Sequence, residues 1–263
     1  MNSEFLYRVP EVAIAGGLLL LMGCAGVGGH MLGRTRRTTE DAMTRVQFVS
    51  LQTAILGLLS LLLGFTFAMA MSRYEYRKQM VVLESNAIGT AALRAGFLPV
   101  ADEARAQALF KRYVQVRLES VMGTSQASVE RQRLDEEVFR LQTSLWSLAS
   151  SAAEADPRSV PLGLFLSSMN ELIDIKTRRD IAVANHVPEI VVLFLLGLAI
   201  VAIGVVAYGD ALAGTRRPGL TAVFAIISAL VVLLIVDLDR PQQGLARVSQ
   251  SSMTLLQQRL EVD

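Results

Sequence analysis

The chain has one cysteine, Cys24, and two histidines, His30 and His186, among its 263 residues. A lone thiol cannot close an internal disulfide, and with His30 and His186 far apart there is no Cys/His cluster at metal-ligand spacing, so disulfide redox chemistry and structural zinc are set aside. Charge is also scarce: 19% of residues are charged, and 25 Lys and Arg against 24 Asp and Glu leave a net charge of +1. Without an excess of one sign there is no global field to draw nucleic acid, and basic groups act locally. A phosphate-binding loop is missing too, because "GCAGVGG" at 23–29 lies inside an apolar run and not after a strand. His186 has no nucleophile motif around it, and as a residue beside an apolar run it reads as a satisfied interfacial histidine, with pH sensing the alternative. No strand alternation and no repeat appears. The expectation is an all-α protein that is not an enzyme and carries no cofactor or metal.

What the chain does have is apolar sequence: 52% of residues are hydrophobic. That composition belongs in a bilayer. Four runs free of charged residues, roughly 12–32, 46–71, 190–209 and 219–236, are each long enough to cross about 30 Å of hydrocarbon, which takes about 20 helical residues. They form two hairpins, joined by "GRTRRTTEDAMTR" and "GDALAGTRRPG". "LMGC" at 21–24 has the look of a lipoprotein cleavage site, but Glu4 and Glu11 spoil the basic leader, and apolar sequence continues to Leu32. Cys24 is therefore read as a membrane cysteine.

The chain divides into a first transmembrane hairpin at 1–71, a helical extramembrane segment at 72–187, a second hairpin at 188–240 and a C-terminal tail at 241–263. In the extramembrane segment, apolar residues recur at helical spacing. Leu109, Tyr113 and Val116 mark one helix, Leu134, Val138, Leu141, Leu145 and Leu148 a second, and Leu162, Phe165, Met169 and Leu172 a third. The second stripe is too short for a coiled coil and suits a helix in an ordinary bundle, with Trp146 at its core or rim. Pro157 and Pro161 interrupt the second and third helices. No Gly/Ser-rich linker separates this segment from the membrane, so its helices are expected to continue the second and third spans.

Small residues mark two helix faces. Ala25, Gly29 and Gly33 in the first span allow close approach of a neighbouring helix, either within the subunit or from another subunit. In the second span Thr53, Gly57, Ser60 and Gly64 share one face, and Gly57, Leu61 and Phe65 run beside it in steps of four. The first stripe suits helix packing. The second would form a hydrophobic constriction if it faced a lumen, or would simply face lipid or other helices. Loop charge leaves sidedness open. Arg34, Arg36, Arg37, Arg45, Arg216 and Arg217 lie on one side, while Arg73, Arg77, Lys78, Lys176, Arg178, Arg179, Arg240 and Arg247 flank the spans on the other.

"LGFTFAMAMSRY" at 63–74 resembles the bestrophin pattern, a Leu-Gly-Phe on the second membrane helix followed by Thr or Ser, Arg and an aromatic. "SNAIGTAALRA" at 85–95 is similar to a second bestrophin region, with Asn86, Gly89, Leu93 and Arg94 matching. In layout the chain looks like the bacterial bestrophin-like family. The resemblance implies a homopentamer in the inner (plasma) membrane, whose second helices line a narrow apolar neck passing small inorganic ions. It places Phe65 at the motif phenylalanine, Leu61 and Gly57 at the neck positions one and two turns earlier, and Arg73 and Tyr74 among the motif residues. It also places the termini and 72–187 in the cytoplasm. Gly57 departs from the family, which carries a bulkier apolar residue there, and this leaves a longer or wider throat. The alternative function is a membrane-anchored scaffold or signalling protein that binds a partner through 72–187.

After the last span, "DLDRPQQG" offers Asp237 and Asp239, too few oxygen ligands for the calcium cluster that animal bestrophins carry in this general region. A polar membrane-exit network of Asp237, Asp239 and Arg240, with Pro241 ending the helix, is expected instead. The basic groups of "RYEYRK" and "KTRR" are expected to ring the membrane exit, as headgroup anchors or as an ion-attracting vestibule.

Overall fold

The computed structural model describes residues 9–36, 42–122, 128–214, 218–240 and 246–262. Arg37, Arg216, Arg217, Pro241 and the Arg45 side chain lie outside the described residues. Eight α-helices and one short 3-10 helix make up the described chain: α1 (Glu11–Arg36), α2 (Ala42–Arg94), the 3-10 turn (Ala95–Phe97), α3 (Val100–Met122), α4 (Ser128–Ala155), α5 (Val160–Ala184), α6 (Glu189–Leu212), α7 (Pro218–Asp239) and α8 (Ser251–Val262). Four helical stretches are long and apolar enough to cross a membrane, and they contain the four uncharged runs. The fold is all-α, with a helical extramembrane segment between the second and third spans.

The chain forms two compact units, one holding residues up to Arg73 with His186–Arg240, the other Tyr74–Asn185 with the chain from Arg247 on. In the membrane unit, the small residues of α1 meet α6 of the same chain. A Cβ on Gly29 would run into the Gly204 carbonyl, and one on Gly33 would lie 2.5 Å from Tyr208 O and 2.8 Å from the Ala211 Cβ. Gly204 in turn faces Ala25. Two helices thus approach backbone to backbone, which in lipid supplies packing energy that no hydrophobic effect provides. At its far end α6 closes on Gly214, whose φ of 72° is open to glycine at little cost.

The extramembrane unit has an ordinary apolar core. Ile88, Phe110, Tyr113, Val138, Phe165 and Met169 are almost wholly buried, and Trp146 packs against them half-buried at the margin. The leucine stripe of α4 is spent on this core: Leu134 and Leu145 are buried in it, and Leu141 and Leu148 pack against it. The Ser159 hydroxyl accepts the Leu162 N–H at 3.4 Å, and Pro161 lies in the first turn of α5, where its missing N–H costs nothing. Within the 241–263 tail, α8 buries Met253, Leu256 and Leu260 in the same core.

The third span differs from the expected continuous helix. α2 does run unbroken from the second span into the extramembrane unit, but α5 ends at Ala184 and α6 begins at Glu189. Pro188, which has no N–H to donate, disfavours helical geometry in the residue before it. Asn185 to Val187 accordingly leave the helix.

Gly29→Ala is expected to force α1 from α6 and destabilise the protein by about 1–3 kcal/mol. Gly16→Ala, whose Cβ meets nothing within 4 Å, should be neutral or mildly stabilising. Thermal unfolding of the two variants in the same detergent distinguishes them.

Candidate functional site

α2 has two unlike sides. Phe48, Gln52, Leu59, Thr66 and Ala70 recur at steps of four and seven and face the rest of the membrane unit. Leu59, Thr66 and Ala70 are buried, and the Phe48 ring packs 4.9 Å from that of Tyr208 at 54°. The Gln52 side chain lies against Gly209 so closely that a Cβ there would meet its Oε1 at 2.5 Å. Roughly half a turn away lies the other side. There Gly57 is exposed, and among the described residues a Cβ placed on it would meet nothing within 4 Å; Leu61 is 55% exposed and Phe65 65% exposed. Thr53, Ser60 and Gly64 form one edge of this bare sector and are exposed as well. Both hydroxyls are satisfied within α2, Thr53 donating to Val49 O and Ser60 to Leu56 O, each at 2.9 Å. An apolar neighbour can therefore cover this face without leaving a polar group unpaired.

Past the membrane the packed side of α2 becomes polar. Glu84 has no solvent exposure and receives two hydrogen bonds from Arg117 of α3, Nε at 2.7 Å and Nη2 at 3.1 Å. Arg179 of α5 donates Nη1 to the same carboxylate and Nη2 to Gln250 at 2.7 Å, just before α8. One carboxylate on α2 thus ties α3, α5 and the approach to α8. Burial by itself would raise the Glu84 pKa, but the charges of Arg117 and then Arg179 outweigh it and hold the carboxyl below its ordinary value. Burial would likewise depress Arg117, which Glu84 overrides and raises. Nearby, Gln142 donates to the Tyr113 hydroxyl at 3.2 Å, and burial pushes that phenol up.

This geometry corrects the expectation for the basic groups. Arg179 lies inside the bundle, and Arg77, also buried, turns into the end of α5, donating Nε to Ala182 O at 3.0 Å and Nη2 to Asn185 O at 2.8 Å. Hydrogen bonds from charged donors are worth about 1.5–3 kcal/mol each, and these satisfy carbonyls that the helix end leaves open. Lys78 and Arg178 keep exposed positions, Lys78 loosely paired with Glu75 at 3.8 Å. Lys176 is tied to Asp180 at 2.6 Å.

The motif residues past Phe65 scatter. Tyr74 approaches Arg247 O at 3.5 Å, Arg94 donates to Leu164 O at 3.0 Å, and a Cβ on Gly89 would meet Leu256 of α8 at 3.4 Å. Asn86 is exposed and Arg73 half-buried. Beyond the last span, Asp237 accepts the Ala246 N–H at 2.9 Å, and Asp239 accepts that of Val187 at 2.7 Å. Arg240 donates to Val9 O at 2.8 Å, and His186 Nδ1 lies 3.0 Å from Asp239 O. These acids cap backbone. Among the described residues no three His, Cys, Asp or Glu side chains gather as metal ligands.

The family model for the bestrophin-like domain matches residues 18–253. The chain belongs to the bestrophin-like family. Solved structures share its fold, among them two variants of one protein. One is a variant of a bacterial bestrophin homologue from Klebsiella pneumoniae, with a TM-score of 0.71 at 14% identity over 96% of this chain and 97% of that one. Another variant of that homologue has a TM-score of 0.66 at 17% identity, over 95% and 99%. No curated protein matches by sequence. This bestrophin-like protein thus keeps the family fold with little of the homologue's sequence.

Glu84, Arg117 and Gln250 are absent from the sequence reading. A signal was there, since Glu84 stands four residues before Ile88 and seven before Ala91, on the apolar stripe of α2. Glu84→Gln should take the shared carboxylate from two buried guanidinium groups, leaving the half-exposed Asp180, 3.6 Å from Arg117, as the nearest acid, at a cost of about 3–5 kcal/mol. Because the folded pKa is depressed, the carboxylate's contribution is complete above the ordinary value of 4.5 and is lost only as pH falls below it toward the folded value. Thermal unfolding followed against pH should show wild type and Glu84→Gln converging in acid and separating above that range.

Proposed function

We propose that this protein is an oligomeric ion channel of bestrophin type, a homopentamer in a bacterial inner membrane. The second helices surround a conduction path with an apolar neck at Gly57, Leu61 and Phe65. The observation that carries this reading is the bare sector of α2, where Leu61 and Phe65 stand open while the opposite side is packed into the same subunit. A ring of such side chains would gate by dewetting, and the absence of charge between Val46 and Ser72 means that the neck holds no ion by itself. Gly57 makes the neck wide at its upper turn. Thr53, Ser60 and Gly64 lie beside it as contacts for the neighbouring subunit, whereas Ala25, Gly29 and Gly33 serve packing within the subunit.

In this reading residues 1–71 and 188–240 are the membrane hairpins and 72–187 is a cytosolic vestibule. Arg73, Tyr74, Asn86, Gly89 and Arg94 hold the pore helix in register with it. Family membership supports transport over catalysis.

Purified protein in planar bilayers should carry ionic current. Phe65→Ala, which removes the largest side chain of the neck, should raise conductance several-fold or alter selectivity. Silence of both proteins as intact oligomers would end the channel reading.

A further inference from the structure

Beside the tight contact of α1 with α6, the membrane unit does not close. Gly23 and Gly26 of α1, Ala207 of α6, and Ala222 and Ala225 of α7 turn toward one another, and side chains this small leave a groove of about 470 Å³ between the three helices. A Cβ on Gly23 would meet nothing within 4 Å. Sites that hold a small molecule have volumes of about 300–1,000 Å³. Val27, Met31 and Ile226 on its rim are exposed, so the groove opens on the outside of the unit. α2, which carries the proposed subunit contact, lends it no residue among those described.

The groove is unlike at its two ends. Leu19, Met22 and Ile203 make its deep part apolar, and its polar lining is gathered toward the short loops, with His30 and Asp210 in the last turns of α1 and α6 and Thr221 in the first turn of α7. The Thr221 hydroxyl donates to the Asp210 carboxylate at 3.1 Å. Arg34 follows His30 by four residues and Met31 by three, so it falls on the same face of α1 one turn nearer the helix end, and it is exposed. Neither His30 nor Arg34 makes a hydrogen bond or ion pair among the described residues. From Leu19 to His30 the groove runs about 17 Å along the helix, close to the depth of one leaflet, which is half of a hydrocarbon core of about 30 Å.

We propose that this groove binds one phospholipid per chain, with an acyl chain along Gly23 and Gly26 and the phosphate at His30 and Arg34. Water has no polar partners along the deep walls and cannot fill them, whereas a hydrocarbon chain can. Basic side chains at the membrane surface beside a cleft between helices are the chemistry that holds a lipid phosphate. Asp210 on the facing wall suits a headgroup that carries a hydrogen-bond donor beside its phosphate. An intramembrane histidine, costly without a partner, gains one in this way.

Native mass spectrometry of the intact oligomer, delipidated in an alkyl maltoside and then titrated with phosphatidylethanolamine, tests this. Wild type should hold one lipid per chain, and it should hold diacylglycerol, which lacks the phosphate, several-fold more weakly. Gly23→Leu fills the groove and should lose most of the binding. Gly28→Leu, on the same helix but off the groove, where a Cβ also meets nothing within 4 Å, should keep it. Arg34→Gln should weaken phosphatidylethanolamine about fivefold, the worth of one basic group at a headgroup, and leave diacylglycerol unchanged. Thermal unfolding checks that each variant is folded, and if Gly23→Leu is not, the exposed Arg34→Gln decides. Equal retention by the Gly23 and Gly28 variants, an Arg34→Gln protein that binds like wild type, or wild type that holds detergent alone overturns the assignment.

Discussion

Hydrocarbon gives a backbone amide no partner except another part of the chain. Much of the structure follows from that constraint. Each span is a helix because a helix satisfies its own amides, and where the chain leaves helical geometry, between α5 and α6, side chains take over. Arg77 accepts the task for the last carbonyls of α5, and Asp239 receives the Val187 N–H on the other side of the break. Asp237 does the same for Ala246. The ionic groups near the membrane ends are in this sense parts of the backbone network. That is why so few of them are left as free surface charge.

A second consequence concerns how helices choose their neighbours. Lipid is as apolar as leucine, so burial of leucine does not bring two spans together, whereas close backbone approach does. α1 and α6 meet through Ala25, Gly29, Gly33 and Gly204 because nothing larger would fit. The bare sector of α2 also carries small residues, Thr53, Gly57, Ser60 and Gly64, but among the described residues nothing lies within 4 Å of a Cβ placed on Gly57 or Gly64. The same chemistry thus appears once with its partner inside the chain and once without. Outside the membrane the rule reverses, and a large apolar core of Phe, Tyr, Leu and Met holds α3, α4, α5 and α8 on the continuation of α2.

The same unit holds a buried ionic cluster of a kind that seldom adds stability over an apolar replacement. Its value lies in specificity. Glu84 accepts from Arg117 and Arg179, and Arg179 from α5 also reaches Gln250. A shifted register of any of these helices would strand a charge in the core. The arrangement defines one packing by penalising the others.

Periodicity and the placement of charge were enough to read four spans, an all-α fold and the stripes of α4 and α5, since each depends on spacing along one helix. The Leu-Gly-Phe stretch carried the family in the same way, through residues close together in the chain. α8 was missed, read only as part of the C-terminal tail, because the three apolar residues it buries, Met253, Leu256 and Leu260, stand in a short, otherwise polar segment. Tertiary structure alone decided which arginines are buried. Arg77, Arg117 and Arg179 look like surface charges in sequence, and their partners lie from 33 to 108 residues away. It alone decided that Ala25, Gly29 and Gly33 pack within the chain. Spacing fixes which residues of a helix share a face, but what that face meets depends on the other helices folded beside it.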